Sequence, residues 1–448
     1  MSVSRDGAAK SDSRMARRAL AASAVGSAIE WYDFYVYGLS AALIFNHLFF
    51  PASSPYSGTL LSLSTFFAGF ITRPVGAMIF GHFGDRLGRR TVLIVTTLLM
   101  GLGTFFVGLA PTHAVAGMWG AAILVALRIV QGIGVGGDWG GSVLMATEWN
   151  SARGKRGFMG SLPQFGSPLG LITATIVTEL AGRTMSQQAY ESYGWRIPFL
   201  FTLLLTILAL IMRLRVEETA SFAATRRAGT IRRAPIAHLL RHHWRTVVKT
   251  TLMRAGQHAS FYLFTTFVLS YGVTTLHHQR STVLLSVMLA AAISLVSTLF
   301  WGALSDRIGR KKMLTIGIVV MFCFAFPYFG LLDSGVPALM TIGIVASLIV
   351  HDMQYGPQSS FIAESFPPDV RYSGASLGYQ LSSVTAGGPA ALIATAFMAT
   401  FNSAIPIAIY LMAMCVISLV ALFLLPDIDS SLQDDTNKPA AEATTKNH

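Results

Sequence analysis

The sequence predicts an all-α membrane protein in which twelve transmembrane helices form two pseudo-symmetric six-helix bundles. Three observations predict this fold class. The 448 residues are 53% hydrophobic and only 12% charged, well below the charged fraction of about a quarter that is usual in soluble domains. Apolar stretches long enough to cross a hydrocarbon core of about 30 Å recur along the chain. One charged sequence motif occurs twice, once in each half.

Twelve apolar stretches are candidates for membrane-spanning segments. Backbone polar groups in lipid must be satisfied internally, and these stretches are much longer than barrel strands, so each is predicted to be a helix. In chain order the predicted helices cover residues 19–45, 57–82, 91–110, 117–147, 157–181, 194–213, 246–271, 281–303, 313–331, 337–364, 371–397 and 402–425.

A basic segment between the sixth and seventh helices interrupts the hydropathy and divides the chain. The predicted parts are a cytoplasmic tail at 1–18, a six-helix bundle at 19–213, a linker at 214–245, a second bundle at 246–425 and a cytoplasmic tail at 426–448. The arginines of the linker either orient the protein or bind anionic lipid. Both roles remain open at this stage.

The distribution of basic residues predicts the orientation. With Arg213 and Lys249 counted as part of the linker, 27 of the 33 Lys and Arg fall in the tails and in the loops on one side. By the positive-inside rule this side faces the cytoplasm, together with both termini. The first apolar stretch contains Glu30 and Asp33, so it is a true span and not a cleaved signal peptide. We expect a multi-pass protein of a bacterial-type cytoplasmic (inner) membrane.

Several classes of function are disfavoured. The two cysteines, Cys323 and Cys415, lie in apolar stretches, which argues against a disulfide framework and against a four-cysteine zinc site. The sequence contains no Gly-x-x-x-x-Gly-Lys-Ser/Thr phosphate loop and no His-Glu-x-x-His zinc motif. We therefore expect no ATP hydrolysis, no enzyme activity, no cofactor or metal, no nucleic acid and no obligate protein partner. The lipid bilayer is the expected surrounding.

The repeated motif lies after the second and eighth predicted helices. Gly81-x-x-x-Asp85-Arg86-x-Gly88-Arg89-Arg90 recurs 221 residues later as Gly302-x-x-x-Asp306-Arg307-x-Gly309-Arg310-Lys311. A weaker repeat relates Glu148 to Glu364. Duplication of a six-helix unit explains both. Paired halves of this kind typically enclose a site near the membrane midplane and rock around it.

These motifs resemble those of the major facilitator superfamily, whose loop between helices 2 and 3 carries the first pattern. Arg128-x-x-Gln131-Gly132-x-Gly134 is similar to the membrane-embedded arginine motif of that superfamily. Three further segments resemble the metabolite:proton symporter branch, which includes shikimate, 2-oxoglutarate, citrate and proline/betaine carriers; they are Glu30–Phe34, Gly136–Gly141 and Gly194–Phe199. The resemblance spans all twelve helices. Asp138 departs from it, because the branch usually has Glu there.

The loop motif predicts a cytoplasmic gate. Asp85 should lie where the two halves meet, and the arginines after the Gly88 turn can pair with carboxylates when that side is closed. The expected gate residues are Asp85, Arg86, Arg89 and Glu148 in the first half and Asp306, Arg310 and Glu364 in the second. The alternative is that the arginines only anchor the protein at the membrane surface, although an anchor does not need Asp85.

Acids at membrane depth are candidates for proton coupling. A buried Asp or Arg costs about 2.5 to 3.5 kcal/mol even on lenient insertion scales, so these residues indicate function. Glu30 and Asp33 are three residues apart and share a helix face, and the repulsion between them favours protonation of one. We expect Asp33 to carry the proton, with Glu30 and Asp138 as further candidates. A permanent ion pair with Arg128 or Arg73 is the alternative.

Arginines at membrane depth are candidates for binding an anion. Arg128 and Arg254 belong to opposite halves, and each presents a planar fork that can bind a carboxylate through two hydrogen bonds. Arg128 can instead serve a proton relay, and Arg254 can extend to the lipid headgroups.

Other polar and aromatic side chains complete the expected site. Gln131, Trp31 and Tyr32 are further candidates, the aromatic rings either stacking on the substrate or packing the core. His351 and Asp352 can carry a second proton or form an interhelical bond.

The sequence therefore predicts a secondary transporter. We expect uptake of a small organic anion, such as shikimate or a di- or tricarboxylate, together with protons by alternating access. The alternative is a proton-coupled carrier for a zwitterionic osmolyte such as proline or betaine.

Overall fold

The computed structural model consists of helices and the turns that join them. It describes residues 2–51, 55–148, 155–216, 218, 227 and 235–427, with side chains at all of these except 2–19, 42–43, 55–60, 63 and 148. No β-strand occurs in this part of the chain. Half of the predicted linker and nearly all of the C-terminal tail lie outside it, so the predicted division at 214–245 and 426–448 stays a prediction.

Within the residues that the structure describes, twelve long helical segments occupy the predicted positions. Nine of them, within the described ranges, are apolar and long enough to cross a membrane; the other three are α1, α2 and α7. The segments are α1 (Ser2–Leu43), α2 (Pro55–Leu87), α3 (Arg89–Leu109), α4 (Met118–Glu148), α5 (Arg156–Arg183), α6 (Gly194–Leu214), α7 (244–275), α8 (Arg280–Ile308), α9 (Arg310–Leu332), α10 (Pro337–Glu364), α11 (Arg371–Phe401) and α12 (Ile405–Phe423).

Three of the segments differ from the prediction, α1 in its start and α7 and α11 in their helix geometry. Helix α1 begins at Ser2 and not near residue 19. The segment α7 is a chain of short helices in which Leu263–Phe267 and Tyr271–Thr275 are π-helical, and α11 has a similar π-helical turn at Ser383–Gly387. Apolar content alone does not report such changes in helix geometry, which commonly occur at functional sites.

The two halves pack their helices in the same order. In the first half α2 and α3 pack on α4, and α1 packs on α5; in the second half α8 and α9 pack on α10, and α7 packs on α11. The turns that precede α3 and α9 are single glycines, Gly88 with φ 105° and Gly309 with φ 93°. Glycine adopts such positive φ values without the steric cost that other residues meet. The sequence repeat is therefore also a structural repeat.

Close contact between the halves is concentrated at the end where Gly88 and Gly309 lie, here called the Gly88 end. At this end α2 packs on α11, and α5 packs on α8 and α10. Glycines allow the approach: a Cβ atom added at Gly81 would lie 2.8 Å from Ser373 Cα, and one added at Gly160 or Gly140 would overlap Ser360 or Ser376. Small residues of this kind let membrane helices pack closely.

Candidate functional site

Asp33 is a buried acid with an unused oxygen. It lies on α1 with 5% of its surface exposed. Its Oδ1 accepts a hydrogen bond of 3.2 Å from the Thr202 hydroxyl, and Thr104 lies beside it, but Oδ2 has no protein partner. Within the described residues Asp33 forms no ion pair with an arginine. The carboxyl group is therefore free to take up a proton.

Arg128 and Gln131 connect to Asp33 through one polar chain. The Arg128 Nη1 donates to Gln131 Oε1 at 3.0 Å, and the Gln131 amide donates to the hydroxyl of Thr104. The guanidinium lies over the Tyr37 ring, 3.5 Å from its centroid. Both predicted residues therefore lie inside the first half, where Arg128 acts on Asp33 electrostatically.

Glu30 lies one helical turn from Asp33 and is also buried, with 7% of its surface exposed. The charged groups around it are Asp138, Arg73, Arg213 and Asp33. It makes no ion pair within the described part of the chain. The predicted pair of adjacent acids is therefore present, and both acids are without a fixed counter-ion.

Asp138 has a different environment from the other two acids. Its oxygens lie 2.6 and 3.0 Å from the guanidinium nitrogens of Arg213, and the hydroxyls of Thr96 and Ser142 donate to them at 2.9 and 3.1 Å. The ion pair foreseen as the alternative is formed, but with Arg213 and not with Arg128 or Arg73. A carboxylate that accepts from all these donors is a weaker candidate for proton exchange.

Arg213 is a residue that the sequence analysis missed. It was counted with the basic linker, but it lies in the last turn of α6 and is 3% exposed. Gly26 on α1 leaves room for its guanidinium, because a Cβ at that position would overlap it. The available signal for this ion pair was a basic residue at the end of an apolar stretch, in the same half of the chain as a buried acid.

Arg254 lies between the helices of the second half. It is 1% exposed, so it does not extend to the headgroups, which was the alternative to anion binding. Its Nη1 lies 3.1 Å from His258 Nδ1 and donates to the carbonyl oxygen of Tyr379 at 3.0 Å, and its guanidinium stacks on the Tyr379 ring. No carboxylate pairs with it in the described ranges. The cation is available to an anion.

The two predicted aromatic residues are separated in the structure. Trp31 faces the second half, with its ring 5.2 Å from that of Phe261. Tyr32 points into the first half, where its hydroxyl donates to the Pro198 carbonyl at 2.7 Å. Trp31 therefore lies between the halves, while Tyr32 ties α1 to α6.

His351 and Asp352 form bonds between helices. The Nδ1 of His351 lies 3.0 Å from Asp352 Oδ1, and its Nε2 lies 2.6 Å from the Gln257 amide of α7. Asp352 Oδ2 accepts from the hydroxyls of Ser294 and Ser297 on α8. These contacts correspond to the interhelical bond that was one of the two expectations.

The two motif acids each cap a helix of the opposite half. Asp85 accepts hydrogen bonds from the backbone N–H groups of Tyr372 and Ser373, at 3.3 and 3.1 Å, and from the Ser373 hydroxyl at 2.7 Å. These are the second and third residues of α11.

Asp306 does the same for α5. It accepts from the backbone N–H groups of Gly157 and Phe158, at 2.7 and 2.9 Å, again the second and third residues of a helix. Unpaired N–H groups and the helix dipole make such a terminus favourable for a carboxylate. The two caps close the Gly88 end in a pseudo-symmetric way.

The basic gate residues of the two halves make different contacts. Arg310 Nη1 lies 2.6 Å from Glu364 and its Nη2 lies 3.4 Å from Asp306, which joins these three predicted residues. Arg89 donates to the Gly84 carbonyl at 3.4 Å, and Arg86 contacts His82 at 3.2 Å. The side chain of Glu148 lies outside the described residues, so its predicted pairing stays a prediction.

Comparison with known families agrees with this architecture. A family model described as Major Facilitator Superfamily matches residues 19–384, and a second match covers 277–446. The chain belongs to the major facilitator superfamily. The resemblance and the fold class predicted from the sequence are confirmed.

This member of the superfamily is similar to known bacterial transporters. It is 37% identical over 416 residues to the shikimate transporter of Escherichia coli strain K12, covering 92% of the chain and 95% of that protein. It is 36% identical over 412 residues to the inner membrane metabolite transport protein YhjE of the same organism, with coverages of 91% and 93%. It is 32% identical over 439 residues to the glycine betaine/proline/ectoine/pipecolic acid transporter OusA of Dickeya dadantii, with coverages of 96% and 85%.

A solved structure has the same fold. The proton:xylose symporter XylE bound to 6-bromo-6-deoxy-D-glucose matches with a TM-score of 0.75 and 18% identity, covering 92% of this chain and 95% of that one. At this identity the likeness shows the fold alone.

Membership of the superfamily makes the protein a multi-pass membrane transporter of the bacterial inner-membrane type, and not an enzyme. One pattern of hydrolases, Gly-x-Ser-x-Gly, does occur at Gly374–Gly378. It lies inside helix α11 with Ser376 fully buried, whereas the nucleophile elbow needs a strand-to-helix turn. The pattern here serves helix packing.

The caps predict how this transporter responds to a change at the Gly88 end. Asp85→Asn removes the charge and one acceptor oxygen from the α11 terminus, and a hydrogen bond to a charged group is worth about 1.5 to 3 kcal/mol. The closed arrangement should lose population. A cysteine at Ser376, which is fully buried, should then react with a maleimide on the order of tenfold faster, in a background with Cys323 and Cys415 replaced.

The matched controls lie at the two ends of the molecule. Asp306→Asn should act in the same direction, because it removes the corresponding cap on α5. Asp333→Asn, at the opposite end and bonded to Tyr271, should leave the labelling rate unchanged. Equal rates for Asp85→Asn and the parent protein, with full transport, would mean that the motif acids do not hold this end closed.

Proposed function

We propose that this transporter takes up a small organic acid together with protons by alternating access. The observation that carries the proposal is the buried Asp33 carboxyl group, which has one oxygen without a partner and no ion pair among the described residues. Such a group can gain and lose a proton as the site opens to either side. The 37% identity to a protein named as a shikimate transporter supports an organic acid as the co-transported molecule.

The balance of buried charges supports coupling of an anion to a proton. Among the described residues at membrane depth, the number of arginines equals the number of acids. The arginines are Arg73, Arg128, Arg213 and Arg254, and the acids are Glu30, Asp33, Asp138 and Asp352. When one acid takes up a proton, one arginine is left without compensation. An anionic substrate restores neutrality inside the low-dielectric interior, where an unpaired charge is costly. A cation would instead compete with the proton for the acid.

The gate supports alternating access. We infer that the Gly88 end faces the cytoplasm, because the basic residues are concentrated on that side. The structure then corresponds to a state closed to the cytoplasm by the caps of Asp85 and Asp306. Opening to that side requires the hydrogen bonds of both caps to break. Binding of the proton and the substrate has to offset the free energy lost with these hydrogen bonds.

A second candidate is an osmolyte carrier. The similarity to OusA, at 32% identity, favours it. A zwitterion such as betaine carries a carboxylate for an arginine and a cation for an acid, so the same site can hold it. Whether the site prefers a zwitterion to an organic anion depends on whether one of its acids stays ionised and can pair with the cationic group of the zwitterion.

The experiment is uptake into proteoliposomes with and without an imposed pH gradient. The panel contains shikimate, 2-oxoglutarate, citrate, a simple aromatic acid and betaine. We expect at least one acid to accumulate several-fold when the outside is acidic and only to equilibrate when the gradient is collapsed. Accumulation of betaine alone would favour the osmolyte candidate. Accumulation that ignores the pH gradient would refute proton coupling.

A further inference from the structure

A narrow crevice lies at the Gly88 end of the first half, between α1, α3, α4 and α6. Its floor is a small apolar cluster, separate from the main core of the protein. The floor consists of Ala22, Leu93, Met145 and Val216. The polar side of the crevice is formed by Ser23, Arg90 and Arg213. All of these residues belong to the first half, so the crevice is not part of a site between the halves.

Three donor groups of the crevice have no hydrogen-bond partner among the described residues. They are the hydroxyl of Ser23 and the Nε–H groups of Arg90 and Arg213. Ser23 is 2% exposed and Arg213 is 3% exposed. Buried polar groups in native proteins are almost always hydrogen-bonded. Three such donors around one small space indicate that the crevice receives an acceptor from outside the chain.

The charge of the crevice favours an anionic acceptor. Arg213 and Asp138 neutralise each other through the ion pair described above. Arg90 donates from Nη2 to the carbonyl oxygen of Leu214 at 2.8 Å and forms no ion pair in the described ranges. Glu218 is also near, but its two oxygens accept from the first two backbone N–H groups of α3, at 3.1 and 3.2 Å. The guanidinium of Arg90 is therefore a positive charge available to an anion.

The second half uses the corresponding position differently. Lys311 has the place of Arg90 in the repeated motif, and its Nζ donates to the carbonyl oxygen of Leu425 at 2.5 Å. Lys249 donates to the neighbouring carbonyl oxygen of Leu424 at 2.9 Å. Both ammonium groups thus bind the end of α12. The unpartnered donors are a property of the first half and do not follow from the repeat.

The position of the crevice favours a lipid as the source of the anion. Arg90 is the second residue of α3, and Val216 lies two residues beyond the end of α6. The crevice therefore lies level with the ends of membrane-spanning helices, where lipid headgroups are found. Leu214, whose carbonyl binds Arg90, has 49% of its surface exposed. Basic pockets between membrane helices on the cytoplasmic side are known to bind anionic headgroups.

We propose that this crevice binds the phosphate group of an anionic phospholipid, with Ser23, Arg90 and Arg213 as the donors. The space inside holds about one water-sized group, so a single phosphate oxygen enters it and accepts from the three donors. The rest of the headgroup stays at the mouth, where its charge offsets that of Arg90. Because Arg213 also holds Asp138, the bound lipid stabilises the first half. The inference does not depend on the transported molecule, so it is independent of the proposed function.

The test is lipid binding to the purified full chain in detergent, measured by native mass spectrometry with phosphatidylglycerol and zwitterionic phosphatidylcholine. The parent protein should bind phosphatidylglycerol about tenfold more tightly, and this lipid should raise the melting temperature. Arg90→Gln should weaken phosphatidylglycerol binding about tenfold, because a charge-assisted hydrogen bond is lost. Arg90→Lys keeps the charge but loses the Nε–H donor, and Ser23→Ala loses the hydroxyl; each should weaken binding about threefold to tenfold.

Lys311→Gln is the matched control, because it removes one positive charge at the corresponding position of the second half. It should leave the affinity for phosphatidylglycerol within about twofold of the parent value. An equal loss for Lys311→Gln and Arg90→Gln would mean that surface charge alone holds the lipid, and the site would be wrong. Size-exclusion profiles equal to that of the parent protein exclude misfolding.

Inorganic phosphate distinguishes a lipid from a soluble anion. At millimolar concentration it should not raise the melting temperature of the parent protein. If it raises this temperature as much as phosphatidylglycerol does, and Arg90→Gln abolishes both effects, the ligand is soluble phosphate and the lipid assignment is wrong. Equal retention of both lipids by the parent protein and by the variants would mean that the crevice binds no anion.

Discussion

Asp33→Asn is expected to abolish proton-driven accumulation while exchange of substrate between loaded vesicles continues. The asparagine oxygen still accepts the hydrogen bond from Thr202, so the packing of α1 against α6 is kept. The side chain can no longer bind and release a proton, so the substrate gradient is uncoupled from the pH gradient. A pH difference of about one unit is worth about 1.4 kcal/mol, which sustains about a tenfold substrate gradient in one-proton symport. That factor should fall to about one.

The measurement compares net uptake and exchange in the same proteoliposomes. Net uptake is followed with a labelled acid under an inward proton gradient, and exchange with the same acid on both sides. Glu179→Gln is the matched control, because Glu179 is an exposed acid that pairs only with Arg183 in the described ranges. It should leave both rates unchanged. Concentrative uptake by Asp33→Asn at the parent level would assign the proton to another group, with Glu30 as the next to be replaced.

Arg213→Gln is expected to cause the largest loss of stability. It leaves the fully buried Asp138 carboxylate without its counter-ion, and only the hydroxyls of Thr96 and Ser142 then donate to it. Breaking one partner of a buried ion pair costs about 3 to 5 kcal/mol, because an uncompensated charge remains in a low-dielectric interior. The melting temperature of the purified protein in detergent should fall accordingly.

The double variant gives the decisive comparison. Adding Asp138→Asn to Arg213→Gln replaces the ion pair by two neutral amides that can hydrogen-bond, so much of the lost stability should return. Arg183→Gln serves as control, since its exposed pair with Glu179 is worth about 0 to 1 kcal/mol. A melting temperature for Arg213→Gln no lower than that of this control would mean that the pair contributes little to folding.

Hydropathy and the repeated motif predict the helix positions well because they are properties of single segments. The glycine turn at Gly88 was foreseen for the same reason, and the repeat places Gly309 at the matching position. The directions in which side chains point around each helix were not foreseen. Tyr32 and Trp31 are neighbours in sequence, yet they point into different parts of the protein, and apolar stretches that are hydrophobic all round carry no signal for that difference.

Contacts to backbone groups were also missed. Asp85 was expected to pair with arginines, and the hydrogen bonds that it accepts from Tyr372 and Ser373 at the start of α11 were not foreseen. Every residue except proline has such a donor, so the sequence does not mark which helix terminus an acid will meet.

The glycine contacts at the Gly88 end give the protein a second means of setting its resting state. Gly81, Gly140 and Gly160 let the two halves touch with no volume to spare. A single methyl group added at one of these glycines would separate the halves sterically, without changing any charge or any residue of the site. The preference for one state can therefore drift during evolution independently of substrate specificity, and it can be set by design in order to hold the carrier in one state for structure determination.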